Sequence, residues 1–270
     1  MSTAAAELPA ASRPAPDDRD LRRSPLSWLA PGSATISHAE LADLYDASDG
    51  LAHLAGHAGV ALEGCSPQTV LRWAIERFGE RFAIASSMGD AVLAHMASEI
   101  RPGVPVIFLD TGYHFAETLG TADAVEDTMP VKLIRVRPQR SVAEQDASFG
   151  RDLFARDPDM CCRLRKVLPL RRALAPYVAW ASGIRRDESE SRADVKVVEW
   201  DSKRSMVKIN PLAGWTQDDV DRYIAVNDVI TNPLLSEGYG SIGCAPCTLR
   251  GTGRSGRWAG RVKTECGLHL

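Results

Sequence analysis

Cysteines at Cys161, Cys162, Cys244, Cys247 and Cys266 sit where thiols can do chemistry; the sixth, Cys65, lies outside every motif and reads as a packing or surface thiol. Cys161-Cys162 is an adjacent pair and Cys244-Ala-Pro-Cys247 is a C-x-x-C. Two thiolate pairs suit zinc or an iron–sulfur cluster. A C-x-x-C chelates one ion readily. Adjacent cysteines diverge and chelate one ion awkwardly, but they can reach two irons of one cubane, which leans toward [4Fe–4S]. The competing reading is two unrelated pairs, with the C-x-x-C as a redox motif.

Cations flank both pairs. Arg163, Arg165, Lys166, Arg171 and Arg172 follow the first, and Arg250, Arg254, Arg257, Arg261 and Lys263 follow the second, with no acidic residue in either run. Such runs are usually solvated faces. Here the chain is acidic overall, at net charge -3, so basic runs placed beside the thiols read as charge compensation for a cluster or an anionic substrate. Arginines suit phosphate or sulfate oxygens bidentately and a lysine acts as a point charge. Binding of RNA phosphates is the other reading of these runs. Cys266 stands in the terminal stretch TECGLHL, beside His269. A reactive thiol must be a thiolate, and Arg261, Lys263 and His269 are near in sequence to favour one.

These residues need a scaffold. Ser66-Pro67 is a helix start, Val70, Leu71, Ala74, Ile75 and Phe78 recur at helical spacing, and Gly79 is a stop. Ser37 with Glu40 forms a capping box further upstream. Apolar runs at 81–87, 104–110, 131–137, 177–184 and 206–212 read as buried strands. Between the first two lies the helical DAVLAHMASEI, and Thr216 caps a last helix, QDDVDRYIAVND. Strands alternating with helices predict an α/β fold, a mainly parallel sheet with helices on both faces. Ligands of such folds bind beyond the carboxyl ends of the strands. SSMGD (86–90), LDTG (109–112) and SGIRRDES (182–189) fall there. Ser86, Ser87 and Gly89, between a strand and a helix start, suit a phosphate or serve only as caps.

At 44% apolar and 25% charged, the composition is that of an ordinary globular protein of one or two domains. No run is long enough for a membrane span, and the net charge gives no general reason to expect a membrane or nucleic-acid partner. Residues 1–36, rich in Ala, Pro and Ser without apolar period or signal-type core, read as a disordered tail, and a cytoplasmic location follows by default.

CCRLRK, CAPC, RSGRW and ECGLH together resemble the assimilatory sulfonucleotide reductases, in their iron–sulfur, adenylyl-sulfate (APS) reductase branch; VPVIFLDTGYHFAET and NPLAGWTQDDV are similar to that family too. The resemblance covers about residues 36–270. It implies an adenine-nucleotide α-hydrolase-like fold, with an α/β nucleotide-binding and Fe–S domain over 37–250 and a mobile catalytic tail over 251–270. It implies reduction of APS to sulfite and AMP through an S-sulfocysteine on Cys266, which an external thioredoxin-type reductant resolves, in sulfate assimilation toward cysteine. Cys161, Cys162, Cys244 and Cys247 match the ligands of one [4Fe–4S] cluster per chain. Lys166, Arg254, Arg257 and His269 match the anionic end of the substrate site, Ser86 and Ser87 the phosphosulfate loop, and Leu109 and Gly183 positions beside adenosine. One departure stands out: relatives carry a loop close to Ser-Gly-Ala-Glu-Asp, whereas this chain has SSMGD, with Met88 inside it. Asp90 reads as a first-turn residue, Trp180 and Trp215 as packing, and His114 as either packing or a nucleotide neighbour.

The rivals are a PAPS reductase, a branch that typically lacks the four cluster cysteines; a tRNA-thiolating enzyme of the same fold group, whose Ser-Gly-Gly-x-Asp-Ser loop is absent here; and a non-catalytic metal module, which leaves ECGLH unexplained. Homo-oligomer assembly is left open by the sequence.

Overall fold

In the computed structural model the described residues are 48–260, 263 and 265–268. The N-terminal tail, the Ser37–Glu40 capping box, Arg261 and His269 lie outside them.

Among the described residues two helices, α1 (Ser48–Ala61) and α2 (Pro67–Phe78), precede the sheet. The Ser66 hydroxyl accepts from the Thr69 amide at 3.2 Å, and Gly79, at φ 49°, ends α2 where a side chain would be strained. Val70, Leu71, Ala74, Ile75 and Phe78 are all buried, as their spacing predicts.

The sheet has six strands: β1 (Phe82–Ser86), β2 (Val104–Leu109), β3 (Val131–Val136), β4 (Ala179–Ser182), β5 (Val198–Asp201) and β6 (Met206–Ile209). Their order is β3-β2-β1-β4-β6-β5, all parallel except β5, which runs antiparallel to β6. The five expected strands are present but shorter, trimmed at the carboxyl end in every case and also at the amino end in β1 and β4. β5 was not foreseen: Val198-Glu-Trp-Asp spans only four residues, too few for alternation to stand out. Gly59 lets α1 approach this strand, since a Cβ there would meet the Val198 carbonyl oxygen at 2.5 Å.

Helices α3 (Val92–Ile100), α4 (Ala116–Thr128) and α5 (Val142–Phe149) link the first strands. A broken helical stretch follows, made of α6 (Leu153–Arg156), α7 (Pro158–Cys162), a π-helical turn (Arg163–Val167) and α8 (Leu168–Ala173). α9 (Gln217–Asn227) starts from the Thr216–Asp219 capping box.

Alternate strand residues enter separate apolar clusters. Phe82, Ile84, Val106 and Phe108 join one with α1–α4, while Ala83, Ile107 and Trp180 join another with Leu170 and Leu174. Successive side chains of a strand point to opposite faces, so both faces of the sheet are covered. Among the described residues no helix is long and apolar enough to cross a membrane.

Candidate active site

Chain direction across the sheet reverses at β1, whose neighbours are β2 and β4. A crevice beyond the carboxyl ends of these strands is the expected ligand position. A cleft of about 580 Å³ opens there, within the usual range for small-molecule sites. Ser86, Ser87, Leu109, Lys166, Gly183, Arg254 and Arg257 all line it, and so does Cys266.

The SSMGD loop is built from the inside. Met88 adopts a left-handed φ of 58°, uncommon for a residue with a Cβ, and turns its side chain into the core at 1% exposure. The Ser86 hydroxyl accepts from the Met88 amide at 3.2 Å. Asn232 clamps the loop from behind, its side-chain amide donating to the Met88 carbonyl and its backbone amide to that of Gly89. The loop therefore presents Ser86, Ser87 and Gly89 to the cleft. Asp90 corrects its sequence reading. It lies ahead of α3 rather than in its first turn, and its carboxylate accepts from the Val92 amide at 3.0 Å. Desolvation, reinforced by Glu188 and Asp221, raises its pKa against the pull of the Val92 N–H and Arg185.

The opposite wall is cationic. Lys166, in the π-helical turn, is 9% exposed. Burial disfavours its charge, yet the sulfurs of Cys244, Cys266 and Cys162, in their ionised form, outweigh burial and Arg257, and its pKa is raised. Arg254 moves the other way, lowered by desolvation and by Arg192 and Arg257, against Glu265. Arg257 lies 4.6 Å from the Trp258 ring centroid and donates to the Ser241 hydroxyl and the Ile242 carbonyl, while its buried Nε has no partner among the described residues. Four cations, Lys166, Arg192, Arg254 and Arg257, thus share a cleft wall with Glu265 bound between two of them, an arrangement that attracts an anion.

The terminal segment completes this wall. The Glu265 carboxylate, 5% exposed, takes a bidentate pair from Arg192 at 2.7 and 2.9 Å and a third bond from Arg254 at 3.1 Å. Arg192 is held in turn by Glu188 at 2.5 Å. Lys263 pairs with Asp159. Cys266 packs on Cys162 and Trp258, and Leu268 packs beneath the cleft against the Trp180 cluster.

The four paired cysteines come together behind Cys266. None of them is in a disulfide. Cys161, Cys162 and Cys244 are buried, and the Thr111 hydroxyl is 3.3 Å from the Cys244 sulfur. Burial first, then Cys162, Cys244 and Cys247, push the Cys161 thiol up to about 12. Burial likewise pushes Cys162 up to about 11, with Lys166 opposing.

Residues 81–250 match the family profile of the phosphoadenosine phosphosulfate reductase domain. An adenosine 5′-phosphosulfate reductase of Streptomyces coelicolor is 59% identical over 220 residues, covering 80% of this chain and 93% of that protein. One from Mycolicibacterium smegmatis is 54% identical, covering 82% and 95%. The chain belongs to the sulfonucleotide reductase family. A crystal structure of the phosphoadenylyl-sulfate (PAPS) reductase from Candida auris, in complex with phosphate, superposes with a TM-score of 0.62 at 28% identity, over 81% of this chain and 100% of that one.

Within this sulfonucleotide reductase, the residues that sequence reasoning passed over are Arg192, Thr111, Trp258 and Glu265 as an anchor. Arg192 sits in SESRADV, a polar stretch without period, so only its distant partner Glu265 reveals it. His114 resolves toward both of its readings: its Nε2 lies 2.7 Å from the Leu109 carbonyl, its ring is 5.0 Å from Phe108, and it lines the cleft. Trp180 is fully buried as expected and also forms part of the cleft floor.

Proposed function

We propose that this protein is a thioredoxin-dependent adenosine 5′-phosphosulfate reductase of sulfate assimilation. The observation that carries the reading is Cys266 in a cleft with Lys166, Arg254 and Arg257 beside it and a nucleotide-type strand switch point beneath. The curated relatives named above carry the same substrate in their names. Adenosine lies against Leu109 and Gly183, and the phosphosulfate reaches between the Ser86–Ser87 loop and the cations, with His269 as a further contact.

The Cys266 thiolate attacks the sulfur of APS. A sulfur–sulfur bond forms, the bond from sulfur to the bridging phosphate oxygen breaks, and AMP leaves. Lys166, Arg254 and Arg257 stabilise both the thiolate and the charge that builds on the departing phosphate. The enzyme then carries S-sulfocysteine. One thiolate of an external dithiol attacks Cys266 Sγ and expels sulfite, and the second thiolate releases the mixed disulfide and restores Cys266. Two electrons pass from dithiol to sulfur. Because Cys266 is buried in the docked position, the tail must swing out between the two steps.

Cys161, Cys162, Cys244 and Cys247 are a donor set suited to a [4Fe–4S] cluster: two thiol pairs from distant parts of the chain, none in a disulfide, with burial and neighbouring sulfurs pushing Cys161 and Cys162 up and Arg165 and Lys166 opposing. A cubane spreads four thiolates over four irons, so each pair can reach two different irons. Bound there, the cluster supplies a fixed, polarisable charge behind the cleft.

The test is anaerobic incubation with APS, and separately with PAPS, without any reductant, followed by intact-mass and peptide analysis. One SO₃ added on Cys266 from APS alone is the expected result. An equal adduct from PAPS would transfer the protein to the other branch, and no adduct from either would end the covalent reading.

Gly243→Ala gives a second check. A Cβ there lands on the Arg257 guanidinium, the far end of a flexible side chain. The fold yields by moving Arg257 rather than backbone. We expect the thermal midpoint to stay close to that of the parent and AMP affinity by calorimetry to fall about tenfold, one charge-assisted hydrogen bond's worth.

A further inference from the structure

The helical stretch that carries Lys166 and Leu170 to the cleft turns its other residues to a separate cavity of about 230 Å³. Leu164, Arg165, Leu168, Arg171 and Arg172 line it from this side, and Pro138, Gln139, Arg140 and Gln145 from the other. None of these residues lines the nucleotide cleft. Four of the nine are arginines and none is acidic.

The cavity is graded from rim to floor. Arg140, Arg171 and Arg172 are exposed, while Arg165 and Gln145 are buried at 3% and 1%. Arg165 is committed: it donates to the Thr111 carbonyl at 2.5 Å and to the Gln145 side chain at 3.0 Å. A guanidinium only donates, so the Gln145 atom it meets is the oxygen, and this fixes the amide orientation. The Gln145 Nε2 is then a buried donor with no partner among the described residues. Buried amide donors are nearly always satisfied, so an unsatisfied one in a cavity wall points to a missing acceptor. The charge of the surroundings defines that acceptor as an anion, and the volume limits it to a small one.

We propose that this cavity is a second oxyanion site, for a tetrahedral ion of the phosphate or sulfate class, with Gln145 and Arg165 at its floor and Arg140 and Arg171 at its mouth. A bound ion stands one guanidinium away from Thr111, whose hydroxyl touches Cys244. The site does not depend on the reductase reading of the cleft.

Calorimetric titration of inorganic phosphate into the full chain, with the nucleotide cleft filled by saturating AMP, tests it. One phosphate per chain is expected, displaced by sulfate. The double variant Arg140→Gln/Arg171→Gln, which changes only exposed side chains, should weaken it about tenfold or more through loss of two charge-assisted contacts. Arg254→Gln, on the cleft wall, should leave it within about twofold, since that side chain lies outside the cavity. No phosphate uptake by the AMP-saturated protein, equal uptake by the double variant, or loss of uptake with Arg254→Gln alone would each overturn the proposal.

Discussion

Replacing Cys266 with serine will abolish the APS-dependent adduct and lower turnover by at least about 10³-fold, the scale seen when a covalent nucleophile is removed. A serine hydroxyl at this position keeps nearly the same volume, so packing on Cys162 and Trp258 persists and the loss reports chemistry. The hydroxyl is a far poorer nucleophile than a thiolate near neutral pH, and the cations around it cannot close that gap. Cys162 lies against Cys266 and, with Cys247 packed on the same cluster, is an alternative acceptor in that wall. As a proposed cluster ligand it would be committed to iron, and without the cluster burial pushes its thiol up to about 11, with Lys166 opposing. Peptide mapping of the adduct separates the two. Cys65→Ser is the control: its sulfur only leans on the Ala61 carbonyl beside the core, and adduct formation should match the parent. An adduct on Cys162 in the Cys266→Ser protein would mean that the wall, not the residue, selects the nucleophile.

What the sequence disclosed, and what it withheld, follows from the range over which each interaction acts. The helix at 67–78 was legible because its cap, its apolar spacing and its terminal glycine all lie within one short window. The parallel strands were legible because burial on both faces leaves continuous apolar runs. β5 was not, because an edge strand that pairs charges across the ladder, Lys208 with Glu199 at 2.8 Å, carries no such run. In the site, clustering in sequence marked the thiols and basic runs, and the family resemblance gathered Ser86, Leu109, Gly183 and Cys266 before any coordinates did. Partnerships across the chain stayed hidden. Nothing local tells Glu265 to find Arg192, 73 residues earlier, or tells Met88 to enter the core with a left-handed backbone. The Met88 departure from the usual loop looked like a weakness of the phosphate site. In the fold it is the pin that holds the loop in place.

Glu265→Ala will detach the terminal segment without unfolding the domain. Glu265 is the segment's buried anchor, and breaking a buried, hydrogen-bonded ion pair from one side removes about 3–5 kcal/mol, because the partner charge is left unpaired. Among the described residues the docked segment is otherwise held by Lys263 on Asp159, Cys266 on Cys162 and Trp258, and Leu268 on the Trp180 cluster. Limited proteolysis should therefore cut after residue 260 much faster in the variant, while the thermal midpoint of the sheet domain stays put. Adduct formation should slow by about 10²-fold or more, since Cys266 then meets the substrate only in a minor docked population. The acid dependence carries the same signature. Burial pushes the Glu265 pKa up, but the hydrogen bonds and charge of Arg192, with Arg254 and Arg257, outweigh it and hold the carboxyl below its usual range. Docking is therefore fully present above the ordinary carboxylate pKa and is lost as pH falls through the depressed value. Proteolysis of the parent should accelerate below that range, and the variant should be cut at one rate across it. A variant that keeps the parent's acid-dependent cleavage would place the anchor elsewhere. Detachment also releases Arg254 from its internal carboxylate, so the variant should bind AMP at least as well as the parent even as it loses the covalent step. That split between binding and chemistry is what an anchor for the nucleophile predicts and what a general loss of fold cannot produce.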